Sequence, residues 1–208
     1  MSVNTQWGYT ITDSDRLEDM LTKEEYDEFT ANKYQFDDRT TGNIKAASKA
    51  IRDYCGWHVY PSCSCRIEMT FYDKRISLSD GCVLIQLPAD YVSEIQSVTI
   101  GETEHEQYVL ESGSILRLYN MSFNGIYKHT PVVVEYAAGL DDAMMDSIKE
   151  LASHRVTHAL SSTSGVQSET AGGMSITYNA SWTNNSRATA LTDDNKEVLQ
   201  VYRVKGVF

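Results

Sequence analysis

No stretch of this 208-residue chain approaches the roughly 18 consecutive apolar residues that a membrane-spanning helix needs. The start, MSVNTQWGYT, lacks both the basic and the apolar region of a secretory signal, so synthesis and retention in a cytoplasm are expected. Positive charge is also scarce: 18 Lys and Arg stand against 29 Asp and Glu, a net charge of −11. The chain as a whole therefore offers no basic footprint for gripping nucleic acid or an anionic membrane. DNA, as a partner, would have to be handled without a tight grip. Catalytic signatures are missing as well. There is no G-x-S-x-G elbow, no phosphate loop and no G-x-G-x-x-G after a strand, and Gly172-Gly173 reads as a turn. Three N-x-S sequons, at Asn120, Asn179 and Asn184, carry no weight without a secretory signal. Internal repeats are absent too, and neither an enzyme nor a cofactor is expected.

What is present is ordinary globular composition, with 41% hydrophobic and 23% charged residues, enough for one good core or two small ones. Charge is unevenly spread. Residues 1–40 hold ten acids and four bases, whereas residues 147–208 hold five acids and six bases, so the front reads as an acidic extension. The four cysteines, Cys55, Cys63, Cys65 and Cys82, fall in one stretch and are expected to be free thiols in a reducing compartment.

Thr22 to Glu25 spells a capping box, with Leu21 and Tyr26 placed for a hydrophobic staple, and predicts a short helix to about residue 32. A second helix is expected from Thr41 or Gly42 to Tyr54, with Ile44, Ala47, Ile51 and Tyr54 on one face and Gly56 ending it. From Trp57 to Tyr136 the period changes to two. Ile67, Met69 and Phe71 alternate with polar residues, and further runs are Val83–Leu87, Tyr108–Leu110, Ile115–Leu118 and Val132–Tyr136. Asp80-Gly81 and Ser112-Gly113 supply hairpin turns, while Pro88 and Pro131 sit at run ends.

Helical spacing returns from Asp141 to about Ser161, through Met144, Ile148, Leu151, Ala152, Arg155 and Ala159. The Ser, Thr and Gly-rich SSTSGVQSETAGG follows, expected to be mobile until a partner orders it, and then a short strand through Met174, Ile176 and Tyr178. Asp193 and Asp194 open a last helix carrying Val198, Leu199 and Tyr202. The expected fold is α+β: a three-helix core (41–58 and 140–208), an inserted small antiparallel β unit (59–139) and the acidic extension (1–40).

Two groups of residues invite a metal reading. His154 and His158 share a helical face at i, i+4, the zinc-peptidase spacing, but the position of the general-base Glu is held by Arg155, a cation beside the would-be metal. The histidines are expected to be exposed or packing residues, with a metal-dependent hydrolase as the alternative. Cys55, His58, Cys63 and Cys65 have the right atoms for zinc, yet C-x2-H-x4-C-x-C departs from two-knuckle patterns. The expectation is small buried hydrophobes in the β unit and no metal.

The segment from Ile44, IKAASKAIRDYCGWHVYPS, resembles the opening of the head-tail connector (head completion, or adaptor) proteins of long-tailed bacteriophages. The later order is similar also: LPADYVSEIQSVTI, a V-x-V-x-Y strand ending in a Gly, DSIKELASHRVTHAL, GVQSETAGGMSITY and VLQVYRVKG, so the likeness spans about residues 41–206. The resemblance implies a non-enzymatic virion-neck protein, assembled in the host bacterial cytoplasm as a ring of about twelve copies beneath the portal. Its implied partners are the portal protein, further copies of itself, a tail or tail-terminator/stopper protein, and genomic DNA passing without sequence-specific binding; no membrane is implied. A tail terminator or another neck ring is the alternative within virion proteins. The terminal segment resembles the part of the family that reaches into the portal, which assigns portal docking to Tyr202, Arg203, Val204, Lys205, Val207 and Phe208. Gly165, Val166, Gln167, Ser168, Glu169, Gly172 and Gly173 are the candidate channel-lining or subunit-contact loop.

Overall fold

The computed structural model describes residues 2–14, 17–121, 129–161, 168–171, 174–177 and 191–204. It is an α+β chain that divides into two units: Met1–Glu18 with Cys55–Met144 and Gln200–Phe208, and Asp19–Tyr54 with Met145–Leu199. The expected boundary near residue 40 falls inside a helix, and residues 59–139 lie wholly in the first unit.

The first unit is built on two antiparallel sheets. One runs in the order β1 (Val3–Asn4), β2 (Thr10–Ile11), β3 (Cys63–Thr70), β10 (Pro131–Ala138), β6 (Val92–Ile100), β7 (Thr103–Glu104). The other runs β4 (Ile76–Ser79), β5 (Cys82–Gln86), β9 (Ile115–Leu118), β8 (Tyr108–Ser112). Alternation decides the register of the central pair, because a slip of one residue would turn every apolar side chain outward. Val132, Val134, Tyr136 and Ala138 of β10 stand opposite Met69, Ile67, Cys65 and Cys63 of β3, and all eight are buried. On the opposite face Arg66 pairs with Glu135 at 3.0 Å, and Ser97 donates to the same carboxylate. The hairpin expected at Asp80-Gly81 joins β4 to β5, with both residues at positive φ. Pro131 opens β10, where its missing N–H costs the ladder least.

Gly139, which ends the V-x-V-x-Y strand, lies at φ +132, and a Cβ there would run into the Pro61 carbonyl and Ser62. Gly139→Ala is therefore expected to cost about 2–4 kcal/mol, combining backbone strain with a clash against backbone that has no rotamer to yield. Thermal melting followed by circular dichroism should show a fall of about 5–10 °C in Tm; an unchanged Tm would mean that this corner relaxes freely.

The second unit holds four helices and a hairpin among its described residues. α1 (Lys23–Phe29) has the expected capping box: Thr22 Oγ1 accepts from Glu25 N–H at 3.2 Å, and Glu25 Oε2 accepts from Thr22 N–H at 2.7 Å. α2 (Asp38–Cys55) begins before Gly42 because Asp37 Oδ1 accepts from the Thr40 backbone N–H at 2.8 Å and from its hydroxyl at 2.9 Å. α3 (Asp146–Ser161) buries Ile148, Leu151, Ala152, Arg155, Val156 and Ala159. The stretch before it is a turn of 3₁₀ helix, Asp142–Met144; Met144 is 53% exposed and Met145 takes the core position instead.

Lys149 of α3 reaches Glu25 of α1 at 2.5 Å. Burial raises the Glu25 carboxyl, but the Lys149 ammonium and the Thr22 N–H outweigh it and hold the group below its ordinary range. A carboxyl so lowered contributes stability above its unfolded pKa, and that contribution is lost as pH falls through the folded value. Glu25→Gln keeps the capping box and removes only the charge. With Lys149 8% and Glu25 29% exposed, the substitution should cost about 1–3 kcal/mol at pH 7, between a surface and a buried pair, and clearly less near pH 3. Urea denaturation at the two pH values checks this, and an equal loss at both would remove the charge pair as the cause.

Candidate assembly segments and a buried thiol–imidazole cluster

The last helix, α4 (Asp193–Leu199), starts one residue earlier in its chemistry than the acids suggest: Thr192 Oγ1 accepts from Asn195 N–H at 3.3 Å, and Asn195 Oδ1 accepts from Thr192 N–H at 3.1 Å. A 3₁₀ turn, Gln200–Tyr202, follows in the first unit. There the Trp57 indole N–H donates to the Tyr202 carbonyl at 2.7 Å. Tyr91 stacks on Trp57 at 6.2 Å between ring centroids and lies 6.1 Å from the Tyr202 ring. One residue beyond Arg203, Val204 donates its N–H to the Cys55 carbonyl at 3.1 Å and is buried. Of the terminal candidates, then, Tyr202 is half-buried, Arg203 is exposed and Val204 sits in the core, while Lys205, Val207 and Phe208 lie outside the described residues.

Within the candidate loop, Ser168 and Glu169 belong to a strand, β11 (Ser168–Ala171), paired antiparallel with β12 (Met174–Thr177). Gly165, Val166, Gln167, Gly172 and Gly173 lie outside the described residues. The β12 segment was expected; its partner was not, because S-E-T-A carries no apolar alternation for the eye to catch.

The cysteine stretch folds into a tighter constellation than its spacing suggests. C-x-C on β3 sends both sulfurs to the same, buried face of the sheet. His58, in the turn region after α2, brings its Nε2 to 3.3 Å from Cys63 Sγ, and Cys63 Sγ lies 3.9 Å from Cys65 Sγ. Exposure is 0% for His58, 6% for Cys63 and 1% for Cys65. The ring is oriented from both ends: Nε2 stands 3.0 Å from the Ala138 carbonyl, which can only accept, and Nδ1 stands 2.6 Å from the Tyr9 hydroxyl. In the neutral imidazole Nε2 therefore carries the proton and Tyr9 donates to Nδ1. The same hydroxyl accepts the His58 backbone N–H at 3.1 Å.

Hydrogen bonding from the Cys65 thiol lowers the Cys63 pKa against the opposing effect of burial, with His58 adding to the lowering; Cys65 is raised correspondingly. Cys55 stays apart from this group, its thiol pushed up to about 12 by burial. The role of the front residues here escaped the sequence reading. Thr12 N–H donates to the Ser64 carbonyl at 2.8 Å, and Asp13 Oδ2 accepts from Ser64 N–H at 2.7 Å, lacing residues 10–13 along β3 and delivering Tyr9 to His58.

The other candidate pair stands exposed on α3. His154 is 76% exposed, with Glu150 at 3.9 Å as its carboxylate neighbour, and His158 is exposed as well. Among the described residues, His58, Cys63 and Cys65 are the one set of three metal-ligating side chains brought together.

Comparison with known proteins places this architecture. No curated protein sequence matches the chain. Among solved structures it is similar to a chain from the neck of a native GTA particle computed with C12 symmetry, at 13% identity and a TM-score of 0.47, covering 93% of this chain and 97% of that one. Residues 19–204 match the family described as Head completion protein. That match takes in both units, from the α1 capping box to the buried Val204, and the chain belongs to the head completion protein family.

Proposed function

We propose that this protein is a structural adaptor of the virion neck. About twelve copies form a ring beneath the portal after genome packaging, lengthen the DNA channel, and offer the surface on which the tail, or a tail-terminator or stopper protein, docks. The reading rests on family membership across residues 19–204. It asks for no catalysis. Charge supports it: a channel rich in Lys and Arg would hold DNA through many counterion-releasing phosphate contacts, whereas subunits of net charge −11 let it slide. In this reading Arg203, Lys205, Val207 and Phe208 supply the portal contact, next in sequence to Tyr202 and Val204, which are bonded to Trp57 and Cys55. The hairpin region around Ser168 and Glu169, with Gly165, Val166, Gln167, Gly172 and Gly173, faces the channel or the neighbouring subunit.

Electron microscopy of the purified protein mixed with isolated portal tests this directly. The expected image is a ring seated on the tail-facing end of the portal. Rings that bind isolated tails and leave portals bare would assign the protein to the tail terminators instead, and no association with either would overturn the adaptor role.

A further inference from the structure

We propose that His58 Nε2, Cys63 Sγ and Cys65 Sγ form a binding site for a borderline-soft divalent cation, Zn2+ in the cell. The inference stands independently of the adaptor reading. Its first support is distance. Zn–S bonds of about 2.3 Å and Zn–N bonds of about 2.0 Å at tetrahedral angles set the donor atoms roughly 3.5–3.8 Å apart. Here the separations are 3.3 Å and 3.9 Å, with all three donors within 4.8 Å of one another. Shifts of no more than about one ångström bring all three donors to the ion.

The second support is the surroundings of the ring. On binding, the metal replaces the Nε2 proton and the tautomer changes. Nδ1 then becomes a donor, and the Tyr9 hydroxyl already stands 2.6 Å from it, able to accept. Such a partner on the far nitrogen is the outer-shell arrangement that orients metal-bound imidazoles. Both thiols release their protons to solvent as the ion enters.

A third observation is an orphan. Among the described residues, the buried Tyr136 hydroxyl has no hydrogen-bond partner. Tyr136 is paired with Cys65 across the ladder, and its ring centroid lies 6.4 Å from that of Tyr9, which places the side chain on the face of the sheet that carries the cluster. Leaving a buried hydroxyl unpaired costs about 1–3 kcal/mol, and a water completing the metal's fourth position would give it a partner.

Another use of these thiols fits less well. A Cys63–Cys65 disulfide would join residues i and i+2 of an extended strand. Their Cα atoms stand about 6.6–6.8 Å apart at the usual strand rise, the upper limit for a disulfide. Both backbones are also held in the ladder with β10.

The test uses the full untagged chain, stripped with a chelator and titrated with Co2+ as a spectroscopic probe and with Zn2+. One equivalent should bind, with thiolate-to-cobalt charge-transfer absorption and tetrahedral d–d bands, and Zn2+ should raise Tm. Cys63→Ser and Cys65→Ser should each abolish the charge-transfer band or weaken binding at least tenfold, while Cys82→Ser should leave it intact. The wild-type spectrum and the metal-dependent Tm decide the matter even if either serine variant fails to fold. Absence of stoichiometric metal, bands without charge transfer, or a band lost equally in Cys82→Ser would each overturn the site.

Discussion

Replacing Ile148 with aspartate is expected to leave no folded protein. Ile148 is fully buried on the face of α3 that also buries Leu151, Ala152 and Val156. A carboxylate there loses its hydration without gaining a partner. Even if it took up a proton, the chain would have exchanged an apolar contact for a buried polar one, at a total cost of several kcal/mol. Against a stability of about 5–15 kcal/mol, that removes the native state of a marginal protein. Ile148→Val is the matched control: it deletes one methylene and should cost about 1 kcal/mol, leaving a soluble protein with a slightly lower melting point. Expression, gel filtration and thermal melting of the pair read the difference. A soluble Ile148→Asp variant that melts cooperatively would show that the buried face of α3 does not carry the second unit.

How this core announces itself in the sequence depends on the element. β3 and β10 are plain because each keeps strict period-two alternation, and each buries that row against the other in register. The capping box at Thr22 is plain because its two hydrogen bonds are local. α3 is plain as a helix, but its start at Asp146 is not, since Met144 and Met145 fit the spacing almost equally and only packing chooses Met145. β6 is harder. Register shifts between Glu135 and Tyr136 and between Ala137 and Ala138 break its alternation, so the residues opposite the inward row of β10, Val92, Ile95, Val98 and Ile100, no longer fall on a simple period. β1 and β2 span two residues each and exist only because β3 offers an edge. No window of sequence can show that.

The candidate sites divide in the same way. Cys63 and Cys65 share a face by strand geometry, which was legible. The ring that meets them belongs to His58, held by a tyrosine 49 residues away in sequence, and spacing rules for zinc knuckles have no place for such a partner. Gly172-Gly173 between two short runs is a hairpin signal, and it is the one local mark of β11, because S-E-T-A has no alternation of apolar and polar residues.

Deleting Lys205–Phe208 should leave the fold intact and abolish attachment to the portal. The place of the cut matters. Sequence alone suggests removing everything from Val204, but Val204 is buried and bonded to the Cys55 carbonyl, and Tyr202 receives the Trp57 indole N–H. A deletion that includes Val204 would damage the first unit and confuse unfolding with loss of docking. Beyond it, Val207 and Phe208 beside Lys205 are the kind of side chains that anchor in a partner's groove. An anchor worth only about 1 kcal/mol per copy is decisive in a ring, because each subunit's weak contact raises the effective concentration of the next and the losses multiply. The truncated protein should melt within about 2 °C of the intact chain, since the bonds of Tyr202 to Trp57 and of Val204 to Cys55 are kept, yet fail to co-purify with portal. In an infected cell the expected result is heads that package DNA, do not retain it and never receive tails. A truncated protein that melts normally and still binds portal would move the docking surface away from this terminus. One that unfolds would place the last four residues in the core of the first unit.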